Sequence, residues 1–346
     1  MAHDGDATAD GLGRVGRLVD EAIADLGPVG VPIDLARTLV VEALGLIADD
    51  PTTLDLKIAT AALTEMRDAF AMFAPHRSRP KVTIFGSARA RAHEPVYEQT
   101  RRVAADMAAR GWMVVTGAGP GLMQAGMEGA GRDLSIGVSI RLPFETGANP
   151  VIAGDEKYVS MKYFFTRKLM LVKESAGFIC LPGGFGTLDE TFELLTLTQT
   201  GKGQPVPIVL LDTPGDPYWE AVDRFVREHL VPRGLVDAGD TDLYRVTESC
   251  AEAADEITGF YGNFHSIRTI GDTVVIRLRR RPSGGDLDRM SDHFAGLLRS
   301  GRIRAAEPFR VEVRDQDALD LPRIALDLDP RHRAGLRRLI DALNRY

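Results

Sequence analysis

Apolar positions along the chain follow three successive patterns. From Gly13 to about Phe73 they return every three or four residues. Val15, Leu18, Val19, Ile23 and Leu26 form one such stripe, and Ile33, Ala36, Leu39, Val40, Ala43, Leu44 and Ile47 a second. Leu54 to Phe73 forms a third. That period predicts three helices, separated where Gly27-Pro28 and Asp50-Pro51 interrupt the backbone. No catalytic constellation falls on them, so their apolar faces read as a docking or self-association surface.

After the polar linker Ala74 to Pro80, short apolar runs alternate with helical ones. Val82–Phe85, Met113–Thr116, Ser135–Ile140, Gly177–Leu181 and Val206–Leu211 read as strands. Pro95–Arg110, Leu122–Ala130, Met161–Glu174, Leu188–Gln199 and Tyr218–Leu230 read as helices, and a long loop runs from Arg141 to about Val159. Strands joined by crossover helices predict an α/β fold with a Rossmann-like, doubly wound parallel sheet. Beyond Gly262 the pattern changes again. Thr273–Leu278, Phe309–Val313 and Ile324–Leu328 are β-like, while Leu287–Leu298 and Arg331–Tyr346 are helical, predicting a small C-terminal α+β appendix. The expected organisation is a disordered tail over 1–10, an N-terminal helical domain over 11–78, a nucleotide-binding catalytic domain over 79–262 and the appendix over 263–346.

Composition narrows the function classes. A net charge of −7 argues against a broad basic face for nucleic acid, though it leaves room for a basic pocket. No apolar run reaches membrane-spanning length, and the polar, acidic Met1–Asp10 lacks a signal-peptide pattern. Of the two cysteines, Cys180 lies in an apolar strand and reads as a buried thiol, which fits a reducing cytoplasm. The seven histidines show no ligand spacing, so no metal is expected. The arginines of the appendix (Arg277, Arg279, Arg280, Arg281, Arg302, Arg304) read either as a solvated strand edge or as a site for a nucleotide effector.

The candidate chemistry lies at the strand ends. In a doubly wound sheet, ligands bind beyond the carboxyl ends of the strands. Three of those ends carry glycine loops: Gly86-Ser87, Gly117 to Gly121 (Gly117, Gly119, Gly121) followed by Met123, and Gly183-Gly184-Phe185-Gly186. The second loop is not a dinucleotide fingerprint, because Leu122 stands where the third glycine belongs and Arg141, not an acid, ends the next strand. There is no Walker A sequence. The third loop runs from an apolar strand into a helix, an arrangement whose bare N–H groups and dipole suit a phosphate. Thr187-x-x-Glu190 can form a capping box, which would explain Glu190 by itself. Alternatively, Glu190 presents a carboxylate to whatever the phosphate carries. Arg167, four residues after Tyr163, is placed to reach an anion at the loop if its helix packs beside it.

Pro182-Gly183-Gly184-Phe185-Gly186-Thr187-x-x-Glu190, preceded by Arg167-Lys168 and by Gly117 to Met123, resembles the PGGxGTxxE signature of the LONELY GUY (LOG) family, formerly described as possible lysine decarboxylases. The resemblance covers roughly Lys81 to Gly262. It implies a phosphoribohydrolase that cleaves the N-glycosidic bond of a nucleoside 5′-monophosphate, of cytokinin type or a common nucleotide such as AMP, to free base and ribose 5-phosphate. It implies no cofactor and no metal. Arg167 and Glu190 then match the catalytic pair, and Lys168, Gly183 to Asp189, and Glu145 match nucleotide-contacting positions. Lys162-Tyr163-Phe164-Phe165-x-Arg167-Lys168 looks like the larger bacterial members, which carry extra domains and form dimers or higher oligomers. A non-catalytic carrier of a nucleotide or phosphorylated cofactor is the alternative. The absence of a convincingly placed lysine for pyridoxal phosphate argues against decarboxylation.

Overall fold

The computed structural model describes residues 16–25, 27, 32–142 and 147–346. The tail expected over 1–10 lies outside the described residues, as does Glu145. The chain divides into two compact units between Thr64 and Glu65.

In the first unit, residues 16–25 form helix α1, and α2 spans Ile33–Ala48. Helix α3, Thr53–Phe73, begins in this unit and continues into the second. Helix α2 buries none of its residues; Leu35, Leu39 and Ile47 are each more than half exposed.

The second unit is built on seven strands, with helices in most of the connections between them. They are β1 (Lys81–Phe85), α4 (Pro95–Ala109), β2 (Met113–Thr116), α5 (Leu122–Ala130), β3 (Ser135–Ile140), β4 (Tyr158–Met161), α6 (Phe164–Lys173), β5 (Gly177–Cys180), α7 (Phe185–Thr200), β6 (Ile208–Leu211), α8 (Tyr218–Phe225), β7 (Arg245–Thr247) and α9 (Cys250–Gly259). The strands pair in the order β4-β3-β2-β1-β5-β6-β7, all parallel. Alternation along each strand feeds two cores. Val82, Ile84 and Ile179 face one way, towards residues of α4, α5 and α9. Phe85, Phe178 and Cys180 face the other, towards α6, α7 and α8. Burial on both faces is why these strands read as continuous apolar runs. The direction of chain progression reverses between β1 and β5, which makes their carboxyl ends the switch point of the sheet.

Edge strands β4 and β7 are too short and too polar to stand out in the apolar pattern. Met161 therefore closes a strand, and the helix expected from it begins at Phe164.

The appendix pairs four antiparallel strands in the order β10-β11-β9-β8. They are β8 (Phe264–Ile270), β9 (Thr273–Leu278), β10 (Leu298–Ala306) and β11 (Arg323–Leu328). Helices α10 (Gly284–His293) and α12 (Gly335–Leu343) pack Leu287, Met290, Leu339 and Ile340 on Ile276 and Leu326. The segment read as a strand over Phe309–Val313 is instead helix α11, Arg310–Asp315. The side chain of Glu312 explains the difference. It turns back to the N–H of Phe309 at 2.9 Å, a helix-opening bond that period counting over five residues misses.

Candidate active site

The three glycine loops meet at the switch point. The N–H of Ser87 donates to Pro182 O at 3.2 Å, and the N–H of Leu122 donates to Ser87 O at 2.9 Å. Gly86, Gly121 and Gly183 are held in this junction. Gly121 has φ of 68°, and a Cβ there would lie 2.4 Å from Ser87 O, so only glycine fits. Met123 turns its sulfur back over Gly117 and Gly119; a Cβ at Gly117 would lie 2.6 Å from it.

Helix α7 starts two residues earlier than Thr187, at Phe185, with Gly184 as its N-cap and no side-chain cap. The capping box therefore does not form. Glycine at the cap lets the backbone enter the helix early, and Thr187 drops into the first turn, where a Cβ on Gly183 would lie 2.2 Å from its Oγ1. Among the described residues, the N–H groups of Gly184, Phe185, Gly186 and Thr187 have no protein acceptor. Gly184, Phe185 and Gly186 are exposed, leaving an open anion cradle at a helix N-terminus.

Glu190, released from capping, points to Arg167. The Arg167 Nη1 donates to Glu190 Oε1 at 2.9 Å, while its Nε donates to Val138 O at the end of β3 at 3.1 Å. Its third nitrogen, Nη2, faces Gly117: a Cβ there would lie 2.4 Å from it. The guanidinium thus bridges β3, the β2–α5 loop and α7. Both side chains are about one-tenth exposed. Burial pushes the Glu190 carboxyl above its ordinary value, and Arg167 only partly reverses the shift. Behind it, burial pushes the Cys180 thiol up to about 12, so that residue is an inert core thiol.

Lys168 and Asp189 are brought together, but on the outer side of the α6–α7 pair. Lys168 Nζ lies 2.7 Å from Asp189 and 2.8 Å from Glu193. The arginines of the appendix do not gather into one site. Arg277 is interior, paired with Glu312 and Asp317, whereas Arg302 meets Asp288 and Asp292 and Arg281 meets Glu307.

Three residues that hold the site escaped the sequence reading. Asn149 donates from Nδ2 to Gly119 O at 3.1 Å, and its N–H donates to Ala118 O at 2.8 Å, pinning the second glycine loop. Tyr218 donates its hydroxyl to Gly183 O at 2.8 Å. Glu65, buried on α3, accepts from the Lys162 N–H and the Thr166 hydroxyl, each at 2.6 Å, and so holds the entry of the helix that carries Arg167. Asn149 and Tyr218 left no sequence signal. Glu65 did: it stands four and eight residues before Ala69 and Phe73, a carboxylate on the core-facing stripe.

Comparison with known proteins bears on the same segment. Residues 120–257 match the family model described as possible lysine decarboxylase. The probable cytokinin riboside 5′-monophosphate phosphoribohydrolase LOGL1 of Oryza sativa subsp. japonica is 28% identical over 200 residues, 55% of this chain and 88% of that protein. The cytokinin riboside 5′-monophosphate phosphoribohydrolase LOG of the same organism is 32% identical over 133 residues, 36% of this chain and 53% of that protein. A solved structure of the molybdenum cofactor binding protein from Rippkaea orientalis covers 52% of this chain and 96% of its own at 17% identity, with a TM-score of 0.37. The glycine junction, the Arg167–Glu190 pair and the family match fall on one sheet, and this α/β part of the chain is similar to the LOG proteins.

Proposed function

We propose that this domain hydrolyses the N-glycosidic bond of a nucleoside 5′-monophosphate to free base and ribose 5-phosphate. The observation that carries the reading is Glu190: a buried carboxylate, raised in pKa, with one protein donor, beside an open anion cradle. The names of the relatives point to the same reaction class.

The bare N–H groups ahead of α7 take the 5′-phosphate, fixing the ribose over the first turns of the helix. As the bond from C1′ to the base nitrogen breaks, its electron pair leaves with the base and positive charge builds on the sugar ring. The Glu190 carboxylate faces that charge and accepts a proton from the water whose oxygen attacks C1′. The departing base nitrogen takes a proton from solvent, and Glu190 returns its own proton to solvent, which closes the balance. Arg167 favours the ionised carboxylate against its burial and aims it. A carboxylate of raised pKa suits such a base, and a carrier that only holds its ligand has no use for one with open acceptor positions.

The test is release of free base from a panel of nucleoside 5′-monophosphates, followed by chromatography, with the matching nucleosides as controls. Turnover of monophosphates but not nucleosides is expected. A protein that binds monophosphates and returns them intact would establish the carrier reading instead.

A further inference from the structure

A second cavity, of about 240 Å³, lies at the seam between the α7–β6 turn of the sheet domain and helix α12 of the appendix. Four cations line it: Lys202, Arg268, Arg333 and Arg337. No aspartate or glutamate does, in a chain whose net charge is −7. Such a local excess of one sign inside a concave site focuses positive potential there.

The four cations are not equally committed. Arg268 is paired with Asp315 and Asp317. Lys202 and Arg333 have no carboxylate within 4.0 Å among the described residues. Arg337 is 8% exposed and pairs through Nε with Asp341 and through Nη2 with Glu256, yet its Nη1 is buried without a partner.

The backbone is shaped to admit these groups. Gly201 closes α7 at φ of 69°, and a Cβ there would lie 2.0 Å from Arg333 Nε. Glycine is what lets the arginine lie across the helix end, where its charge also suits the last carbonyls.

We propose that this seam cavity binds a small phosphorylated molecule, a phosphate monoester on a scaffold no larger than a sugar. The uncommitted Arg333 fork and the Lys202 ammonium, beside the charges of Arg268 and Arg337, match the several oxygens of a dianionic phosphate. Buried Leu243, Ile267 and Leu336 offer the scaffold an apolar wall. The volume is below the roughly 300–1,000 Å³ of sites for drug-sized ligands, which favours a sugar phosphate over a whole nucleotide. The site is separate from the glycine junction. Helix α7 connects the two, with Glu190 near its start and Gly201 at its end, about 16 Å apart along the axis at about 1.5 Å per residue. The inference does not depend on the hydrolase reading.

The test is calorimetric titration of ribose 5-phosphate, and separately of inorganic phosphate, at constant ionic strength. It uses full-length protein carrying Arg167→Ala to weaken the glycine-junction site. Adding Lys202→Ala and Arg333→Ala should weaken ribose 5-phosphate binding by about tenfold or more, with Arg333→Lys restoring part of it. Ribose 5-phosphate should bind more tightly than inorganic phosphate, because only the ester reaches the apolar wall. Unliganded thermal midpoints report whether the variants fold. If the double variant does not, Lys202→Ala alone, at an exposed position, should weaken binding in the same direction. The proposal is overturned if the Arg167→Ala protein binds neither ligand, or if removing the cations from a folded protein changes affinity by less than about twofold.

Discussion

Two of the arginine–glutamate clusters with little exposure among the described residues are opposites. In the appendix, Glu312 is fully buried and has several donors. It accepts from Arg277 Nε at 3.0 Å, from Arg277 Nη2 at 2.7 Å and from the Phe309 N–H at 2.9 Å, with Arg323 Nη1 at 2.8 Å. Burial alone would raise its pKa, but these partners outweigh burial and hold it below its ordinary value. At the strand ends, Glu190 has one donor, Arg167 at 2.9 Å, and burial wins. The residue types are the same and the degree of satisfaction differs. A carboxylate held by several donors is structural, while one left largely open in a low-dielectric site is poised for chemistry.

The largest effect should come from breaking the Glu312 cluster. Glu312→Gln leaves the buried Arg323 without its counter-charge and Arg277 with Asp317 alone, and breaking a buried pair in this way typically costs about 3–5 kcal/mol. We expect a large drop in the denaturant midpoint of the appendix, followed by tryptophan-independent circular dichroism. A loss below about 1 kcal/mol would mean the cluster contributes no more than a surface ion pair.

Breaking the Arg167–Glu190 pair should move activity instead. Glu190→Gln preserves shape and removes the charge that the proposed reaction needs. By comparison with removing one transition-state donor, we expect monophosphate hydrolysis to fall by about 10²–10³-fold, or roughly 3–4 kcal/mol. Arg167→Ala should cost a similar amount. Near-normal turnover by either folded variant would remove the pair from the reaction.

Titration sharpens the contrast, because the two glutamates respond with opposite sign. Glu312 has a depressed folded pKa, so its stabilisation is present above the ordinary carboxylate range and is lost as pH falls through the folded value. Glu190 has a raised folded pKa. Between its ordinary and raised values the native state holds a proton that the unfolded chain has released, so its contribution to stability declines as pH rises through that window. Acid should therefore weaken the appendix through Glu312. The acid limb of kcat/KM, if Glu190 is the base, should lie above the ordinary carboxylate range. A limb at or below that range would assign the base to another group.

The central sheet was legible because its strands are buried on both faces and its crossover helices are strongly periodic. The edge strands β4 and β7 and helix α11 were not, being three to six residues long and set by tertiary partners. At the site, the glycine loops announced themselves, since a close approach such as Gly121 to Ser87 O admits no other residue. The role of Glu190 was ambiguous in one dimension. Whether it capped a helix or faced Arg167 depended on where α7 began, and a glycine N-cap decided that. Asn149 and Tyr218 bond to backbone carbonyls distant in sequence, contacts that no local pattern encodes.

The smallest effect should come from Glu65, which touches neither Arg167 nor the cradle. Its carboxylate holds the Lys162 N–H and the Thr166 hydroxyl at the entry of α6, and Arg167 follows directly. Glu65→Gln keeps an acceptor and loses the charge. Hydrogen bonds to charged groups are worth about 1.5–3 kcal/mol, and the amide should forfeit only part of that. If the lost order reaches Arg167, kcat should fall several-fold with KM little changed, because the anion cradle on α7 is built without Glu65. A merely structural role would lower the thermal midpoint and leave kcat of the folded fraction intact. The decisive comparison is a double-mutant cycle with Arg167→Ala. Glu65 acting through the arginine predicts that Glu65→Gln costs nothing further once Arg167 is gone. Additive losses would show that α3 supports the sheet domain without aiming its guanidinium.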